Sequence, residues 1–241
     1  MNRGDRRDLF FIDDADRQRF VETLGEACAK TGWQIHAYVL MPNHFHVVVE
    51  TPQPNLVAGM KWLLGTYTSR FNRRHKLFGH LFSGRYKSLI VDGSGNGYLK
   101  SVGDYVHLNP ARAKLVVADV PLKNFAWSSW PAYLLAHSKR PAWLRADRLL
   151  GAWGIPEDSP VGRQRLERSL AEFIIAEELK LGRRQEADLK TRPKGDSVKV
   201  ALAARLRAET TMTARWIAER LAMGTRGYLN HLLYRRRKLG E

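Results

Sequence analysis

A chain of 241 residues with 44% hydrophobic side chains can fill one good-sized core and a smaller one, which excludes both disorder and a fibre. Forty Lys and Arg stand against 24 Asp and Glu, a formal charge of +16, and such an excess points to a polyanionic partner, nucleic acid above all. The single cysteine, Cys28, excludes an intrachain disulfide framework and a cysteine-cluster zinc site. It lies among small and apolar residues and reads as a buried small hydrophobe. No apolar run reaches the roughly 18 to 20 residues of a membrane span. The start, Met1-Asn2-Arg3-Gly4-Asp5-Arg6-Arg7, lacks the apolar core of a signal peptide, so a cytoplasmic, nucleoid-associated protein is expected.

Residues 13–31 read as a helix, capped by Asp13 and Asp14 and closed by Gly32, with Phe20, Leu24 and Ala27 at helical spacing. Residues 34–40 and 44–50 read as two strands of a hairpin turning at Met41-Pro42-Asn43. A second helix is expected over about 55–74, carrying Leu56, Met60, Leu63, Leu64, Tyr67 and Phe71. A third strand is expected over Tyr86-Lys87-Ser88-Leu89-Ile90-Val91. A helix over 96–107 should end near Asn109-Pro110, because the residue before a proline disfavours the helical region. Helices on an antiparallel sheet, an α+β sandwich, follow from this order. A split βαβ arrangement needs one more strand ahead of the first helix, where only Leu9-Phe10-Phe11-Ile12 is available. After about residue 115, prolines punctuate short segments carrying Trp127, Trp130, Trp143 and Trp153. From 161 the chain is basic and helical, interrupted near Thr191–Asp196.

His44 and His46 lie two apart on a strand and therefore project from one face, while Phe45, Val47 and Val49 turn to the other. Two such imidazoles can share a divalent cation, although the pattern alone more often marks two exposed surface histidines. Tyr105 and Asn109 lie four apart and share a helix face. An amide oxygen can complete a metal shell, and a phenol one turn away can reach a phosphate. An unassisted phenol is a weak nucleophile at neutral pH and requires a nearby cation. A Tyr packed on the core and an Asn capping the helix end would fit the same residues. His36, His75, His80, His137 and the tryptophans read as packing or surface residues.

Three stretches together carry a resemblance: Tyr38-Val39-Leu40-Met41-Pro42-Asn43-His44-Phe45-His46-Val47-Val48, Gly84-Arg85-Tyr86-Lys87-Ser88, and Tyr105-Val106-His107-Leu108-Asn109-Pro110-Ala111-Arg112-Ala113. In this order they resemble the REP-associated tyrosine transposases, relatives of the small insertion-sequence transposases in the HUH single-strand nuclease superfamily. Trp127-Ser128-Ser129-Trp130-Pro131-Ala132-Tyr133 is also similar to that family. The resemblance implies a ferredoxin-like nuclease domain, with His44 and His46 as the metal-binding pair, Asn109 as a third ligand and Tyr105 as nucleophile. It implies Mg²⁺ or Mn²⁺, no nucleotide cofactor, and single-stranded DNA with hairpin-forming, REP-like repeats as substrate. Relatives carry a first, central strand ahead of Asn2-Arg3-Gly4, so either the gene start lies further upstream or the sheet is incomplete at that position. Arg85, Lys87 and Arg112 are expected along the cleft.

The expected organisation is a nuclease domain over 1–135, a linker over 136–160 and a basic helical domain over 161–241. Within the last, 211–238 reads as helix, Gly224-containing turn and helix, the pattern of a helix-turn-helix whose second helix enters a major groove. Arg226 and the run Arg235-Arg236-Arg237-Lys238 suit phosphate contact. An ordinary helical hairpin with a solvated tail fits the same spacing. Two other functions stay open on the residues: a catalytically silent nucleic-acid-binding regulator, and a metal-dependent RNA nuclease.

Overall fold

Asp13 sets the start of the first helix, its side chain accepting the Asp16 N–H, and Gly32 ends it at a φ of 72° that suits glycine. These caps belong to a computed structural model that describes residues 2–3, 9–82, 84–93, 97–116 and 121–239. The chain forms two units, Met1–Pro110 with Ala126–Asp158, and Ala111–Phe125 with Ser159–Glu241. In chain order the first holds β1 (Asn2–Arg3), α1 (Asp14–Thr31), β2 (Gln34–Met41), β3 (His44–Glu50), α2 (Leu56–His75), α3 (Tyr98–Arg112), α4 (Trp130–Tyr133) and α5 (Asp147–Ala152). Helix α3 runs two residues into the second unit. The fold is α+β.

The sheet has the order β1-β3-β2 and is antiparallel. Strands β2 and β3 form the expected hairpin, with Val39 opposite His46 and Met41 opposite His44. Among the described residues, Asn2 and Arg3 pair with β3 on its other side, opposite Phe45 and His44. Gly4 lies outside the described residues. The outer edge of β2 is closed by irregular chain. Leu40 donates to the Trp127 carbonyl, Ser129 to that of Tyr38, and Ile35 exchanges bonds with Trp143 and Arg145. Closure on that edge accounts for the burial of β2 from Ile35 to Met41.

Packing of α1 and α2 on the sheet encloses an aromatic core. Phe20 lies 4.7 Å from Phe45 and 5.1 Å from Tyr67 between ring centroids, and the Tyr67 hydroxyl donates to the Phe10 carbonyl at 2.7 Å. Such pairs add to the area burial of the rings. Cys28 is buried here, and burial pushes its thiol up to about 12. Arg70 on α2 forks onto Glu26 of α1, and Arg74 reaches Asp13 and Asp16, joining the two helices by charge as well.

Three expectations are corrected. Residues 86–91 form no strand: Leu89 is 84% and Ile90 95% exposed, because β propensity yields a strand only where a neighbouring edge accepts its hydrogen bonds. Helix α3 continues through Pro110 to Arg112, losing one hydrogen bond near its end while the proline ring is buried. Residue 96, its expected start, lies outside the described residues. The expected linker 136–160 is packed structure. Leu144, Leu149, Leu150 and Trp153 are buried, and Arg140, 8% exposed, forks onto Asp158. Leu9–Ile12 is likewise no strand, and its Phe10 and Phe11 are core.

The second unit is helical: α6 (Pro160–Leu181), α7 (Asp188–Thr191), α8 (Ser197–Glu209), α9 (Ala214–Arg220) and α10 (Arg226–Leu239). Asp196 caps α8 and Thr213 caps α9. Between α9 and α10 the chain turns through Ala222 at φ 49° and Gly224 at φ 88°. Buried Lys199 holds that turn, its ammonium donating to the carbonyls of Ala222 at 3.0 Å and Leu189 at 2.9 Å. Among the described residues, no helix is long and apolar enough to cross a membrane.

Gly59 shows how closely α2 packs. A Cβ there would stand 2.1 Å from the Trp33 ring, which the Asn55 side chain fixes by accepting its indole N–H at 2.8 Å. Gly59→Ala should therefore destabilise the protein by about 1–3 kcal/mol, outweighing a gain of about 1 kcal/mol in helix propensity. A urea midpoint that stays put or rises would show that Trp33 yields freely.

Candidate active site

Strand β3 presents His44 and His46 on one face and drives Phe45 into the aromatic core on the other. The two imidazole centroids are 5.2 Å apart. Asn43, in the hairpin turn, places its side-chain oxygen 2.9 Å from Nδ1 of His44. A proton on Nδ1 donated to that oxygen leaves Nε2 as the acceptor nitrogen, the form in which histidine binds metal.

Helix α3 brings Tyr105 to the same place. Its ring centroid lies 5.3 Å from that of His46, edge-on, and the residue is 45% exposed. A large tyrosine left this open on a helix whose neighbours Asp104, Val106, His107 and Leu108 are all buried is oriented outward by the helix itself. Asn109, one turn further, is only 8% exposed. Beside Tyr105 and His46 a groove of about 960 Å³ opens, bounded by Met60, Leu63, Tyr98 and Lys87 among others.

Among the described residues no group of three or more His, Cys, Asp and Glu converges as a metal site. A cation here would rest on the His44 and His46 imidazoles and complete its shell with oxygens, from the Asn109 amide or a bound phosphate. Imidazole suits Mn²⁺ better than Mg²⁺, which prefers an oxygen shell and retains its waters.

Of the three basic residues expected along the cleft, Lys87 lines the groove and Arg85 is exposed on the loop before it. Arg112 falls in the second unit, where Glu177 engages its guanidinium at 2.5 Å. His36 is structural as expected, held between Glu50 at 3.1 Å and the Arg145 carbonyl at 3.0 Å. Arg148 holds the Glu50 carboxyl below the usual carboxylate range, and His36 adds to the effect.

Two buried polar residues of α3 carry no periodic signal in the sequence. Asp104, fully buried, accepts the Trp153 indole N–H at 2.9 Å and pairs with Lys100 at 2.7 Å. His107, also fully buried, lies among Trp130, Tyr133 and Trp153 and meets the Ser129 hydroxyl at 2.9 Å. Burial pushes its imidazole down to about 3, so it is neutral throughout the physiological range.

In the second unit the acidic side chains are largely used on internal arginines. Arg205 meets Glu177, Glu178 and Glu209, and Arg220 meets Glu172 and Glu186. Helix α10 has no acidic residue, and its Arg226, Arg235 and Arg237 are exposed and in no ion pair among the described residues. Arg236 is half-buried.

Residues 3–109 match the family model described as "Transposase IS200 like", a span that includes His44, His46, Tyr105 and Asn109. No curated protein and no solved structure matches the chain. The family match supports a transposase-like function and a role in DNA transposition.

Asp104→Ala should lower unfolding stability by about 3 kcal/mol or more, since it strands the Trp153 N–H and the Lys100 charge. Asp104→Asn keeps an acceptor for Trp153 and should lose only about 1 kcal/mol. Equal losses from both in denaturant titrations would show that the indole bond contributes nothing.

Proposed function

We propose that this chain, whose residues 3–109 match the IS200-like transposase model, is a single-tyrosine enzyme that cuts and rejoins single-stranded DNA at hairpin-forming repeats. The observation that carries this reading is the half-exposed Tyr105 ring 5.3 Å from His46, itself 5.2 Å from His44, at the mouth of a groove. In this reading the nuclease domain is a ferredoxin-like HUH fold whose first strand is represented by β1.

Tyr105 Oη attacks the scissile phosphorus and loses its proton to solvent. The bond from phosphorus to the 3′ oxygen breaks, and that oxygen takes up a proton, giving a 5′-phosphotyrosine and a free 3′-hydroxyl. Attack of a 3′-hydroxyl on the phosphotyrosine rejoins the strand and restores Tyr105. Phosphodiester energy is conserved in the covalent intermediate, so no nucleotide cofactor enters. His44, His46 and Asn109 would hold a divalent cation, Mn²⁺ or Mg²⁺, which would supply positive charge beside the scissile phosphate. His44 and His46 hold the site's face toward the phosphate, while Lys87 and Arg85 draw the DNA backbone to the groove.

The second unit supplies the DNA-binding surface in this reading. Helices α9 and α10 act as a helix-turn-helix, with α10 laid along duplex DNA such as a hairpin stem. Support comes from the turn fixed by Lys199 and from Arg226, Arg235 and Arg237 of α10, exposed and in no ion pair among the described residues. The protein works in the cytoplasm at the nucleoid. A catalytically silent regulator would need only this unit, and the ring cluster at Tyr105 favours the enzyme.

Tyr105→Phe should keep affinity for single-stranded DNA and abolish a covalent protein–DNA adduct on a denaturing gel, because only the phenolic oxygen is lost. Retention of the adduct would place the nucleophile elsewhere. Mn²⁺ should raise the melting temperature of the wild type and leave that of His46→Ala unmoved, since a ligand bound only by the native state stabilises it. Equal shifts in both proteins would remove His46 from the metal site.

Replacing Arg226, Arg235 and Arg237 together by Gln should flatten the slope of log affinity against log salt by about 2 to 3 on a hairpin substrate, at roughly 0.7 to 0.9 per lost phosphate contact. Parallel salt lines for the two proteins would show that α10 is merely solvated.

A further inference from the structure

We infer that His107 and Ser129 are positioning residues that set where Tyr105 stands over His46. The inference rests on the reading of Tyr105 as nucleophile, and it concerns side chains that touch neither DNA nor the His44–His46 pair.

The sheet and the nucleophile's helix are tied by one hydroxyl. Ser129 Oγ accepts the Tyr38 N–H at 2.9 Å, lies 3.3 Å from the Tyr38 carbonyl, and meets His107 Nε2 at 2.9 Å. Tyr38 is on β2, paired with Val47, and its neighbour Val39 is paired with His46. His107 is two residues beyond Tyr105 on α3. A closed circuit results, from Tyr105 through His107, Ser129 and Tyr38 to β3 and His46, whose ring meets Tyr105.

The proton positions follow from what is satisfied. His107 Nδ1 is buried with no hydrogen-bond partner. A buried N–H left without an acceptor is rarer than a lone pair left without a donor, which places the proton on Nε2. His107 then donates to Ser129 Oγ, Ser129 donates to the Tyr38 carbonyl, and Tyr38 N–H donates to Ser129. Each proton of this set has an acceptor in a fully buried place, so the arrangement has one geometry rather than several.

Apolar contact alone would not fix that geometry. The rest of α3 packs through the non-directional contacts of Val106, Leu108 and Gly103 against Leu149, and through Asp104, whose directional bond goes to Trp153 after α5 and not to the sheet that carries the imidazoles. A misplacement of about 1 Å at a reacting atom lowers rate on the order of 10²-fold. The directional link at His107 is close enough in sequence to Tyr105 to set its reach. It is also separable from the fold: the backbone bond from Ser129 N–H to the Tyr38 carbonyl, at 2.9 Å, holds the segment on β2 without the side chain.

The test is single-turnover formation of the covalent adduct, with affinity for the same oligonucleotide measured separately. Ser129→Ala should lower the rate about 10- to 100-fold, with the dissociation constant and the final adduct yield within about twofold of wild type. His107→Phe, which keeps a ring among the aromatics, should show the same loss, and His107→Gln, which returns an N–H near the Nε2 position, should recover most of it. A merely structural role predicts lower yield at an unchanged rate, with Gln no better than Phe, and that result overturns the inference. So does a wild-type rate in Ser129→Ala. If wild type gives no adduct, or Tyr105→Phe retains it, the nucleophile reading itself fails and takes the positioning role with it. A Tyr105-dependent adduct with an unaltered Ser129→Ala rate sinks the positioning role alone.

Discussion

Strand β3 can be buried in only one register, and the site depends on that. Successive side chains alternate across a strand, so a slip by one residue would send His44 and His46 into the core and Phe45 into water. Phe45 packs against Phe10, Phe20 and Phe82, and burying such a ring is worth about 1.5–3 kcal/mol, while an imidazole in an apolar core without partners is penalised. The aromatic core under α1 and α2 therefore orients the imidazoles as a by-product of its own packing. Asn43 then refines His44 from within the turn.

Burial does comparable work on α3. Four residues around Tyr105 are buried, two of them polar, and Asp104 and His107 each find a directional partner on chain that follows later in the sequence. Those partners, Trp153 and Ser129, lie in the proline-punctuated stretch after residue 125, which closes the free edge of β2 and packs on α3. That stretch is part of the first unit for this reason, although a run of prolines and short segments has the texture of a connector.

Charge is divided unevenly within the second unit. Glu172, Glu177, Glu178, Glu186 and Glu209 neutralise Arg205 and Arg220 inside the helical assembly, and Lys199 is spent on carbonyls of the α9–α10 turn. On α10 the exposed Arg226, Arg235 and Arg237 meet no acid among the described residues, and the same holds for Arg165, Arg183 and Lys190 elsewhere in the unit. Net charge by itself says nothing of where the cations lie; the pairing pattern separates those spent inside the unit from those left exposed.

Local periodicity made much of this legible in the sequence. The caps of α1, the bounds of the two hairpin strands and the apolar spacing of α2 are short-range properties, and the structure follows them within a residue or so. The shared face of His44 and His46 is likewise a matter of spacing two apart on a strand. Contacts between distant segments were not legible. Residues 86–91 have the composition of a strand and find no ladder, since a strand is completed by a neighbour's hydrogen bonds and not by its own propensity. The meeting of Tyr105 with His46, and the His107–Ser129–Tyr38 link beneath it, depend on α3 and the 127–129 segment packing on one sheet. Spacing along the chain determines which face a side chain takes, but packing between elements decides what stands opposite that face.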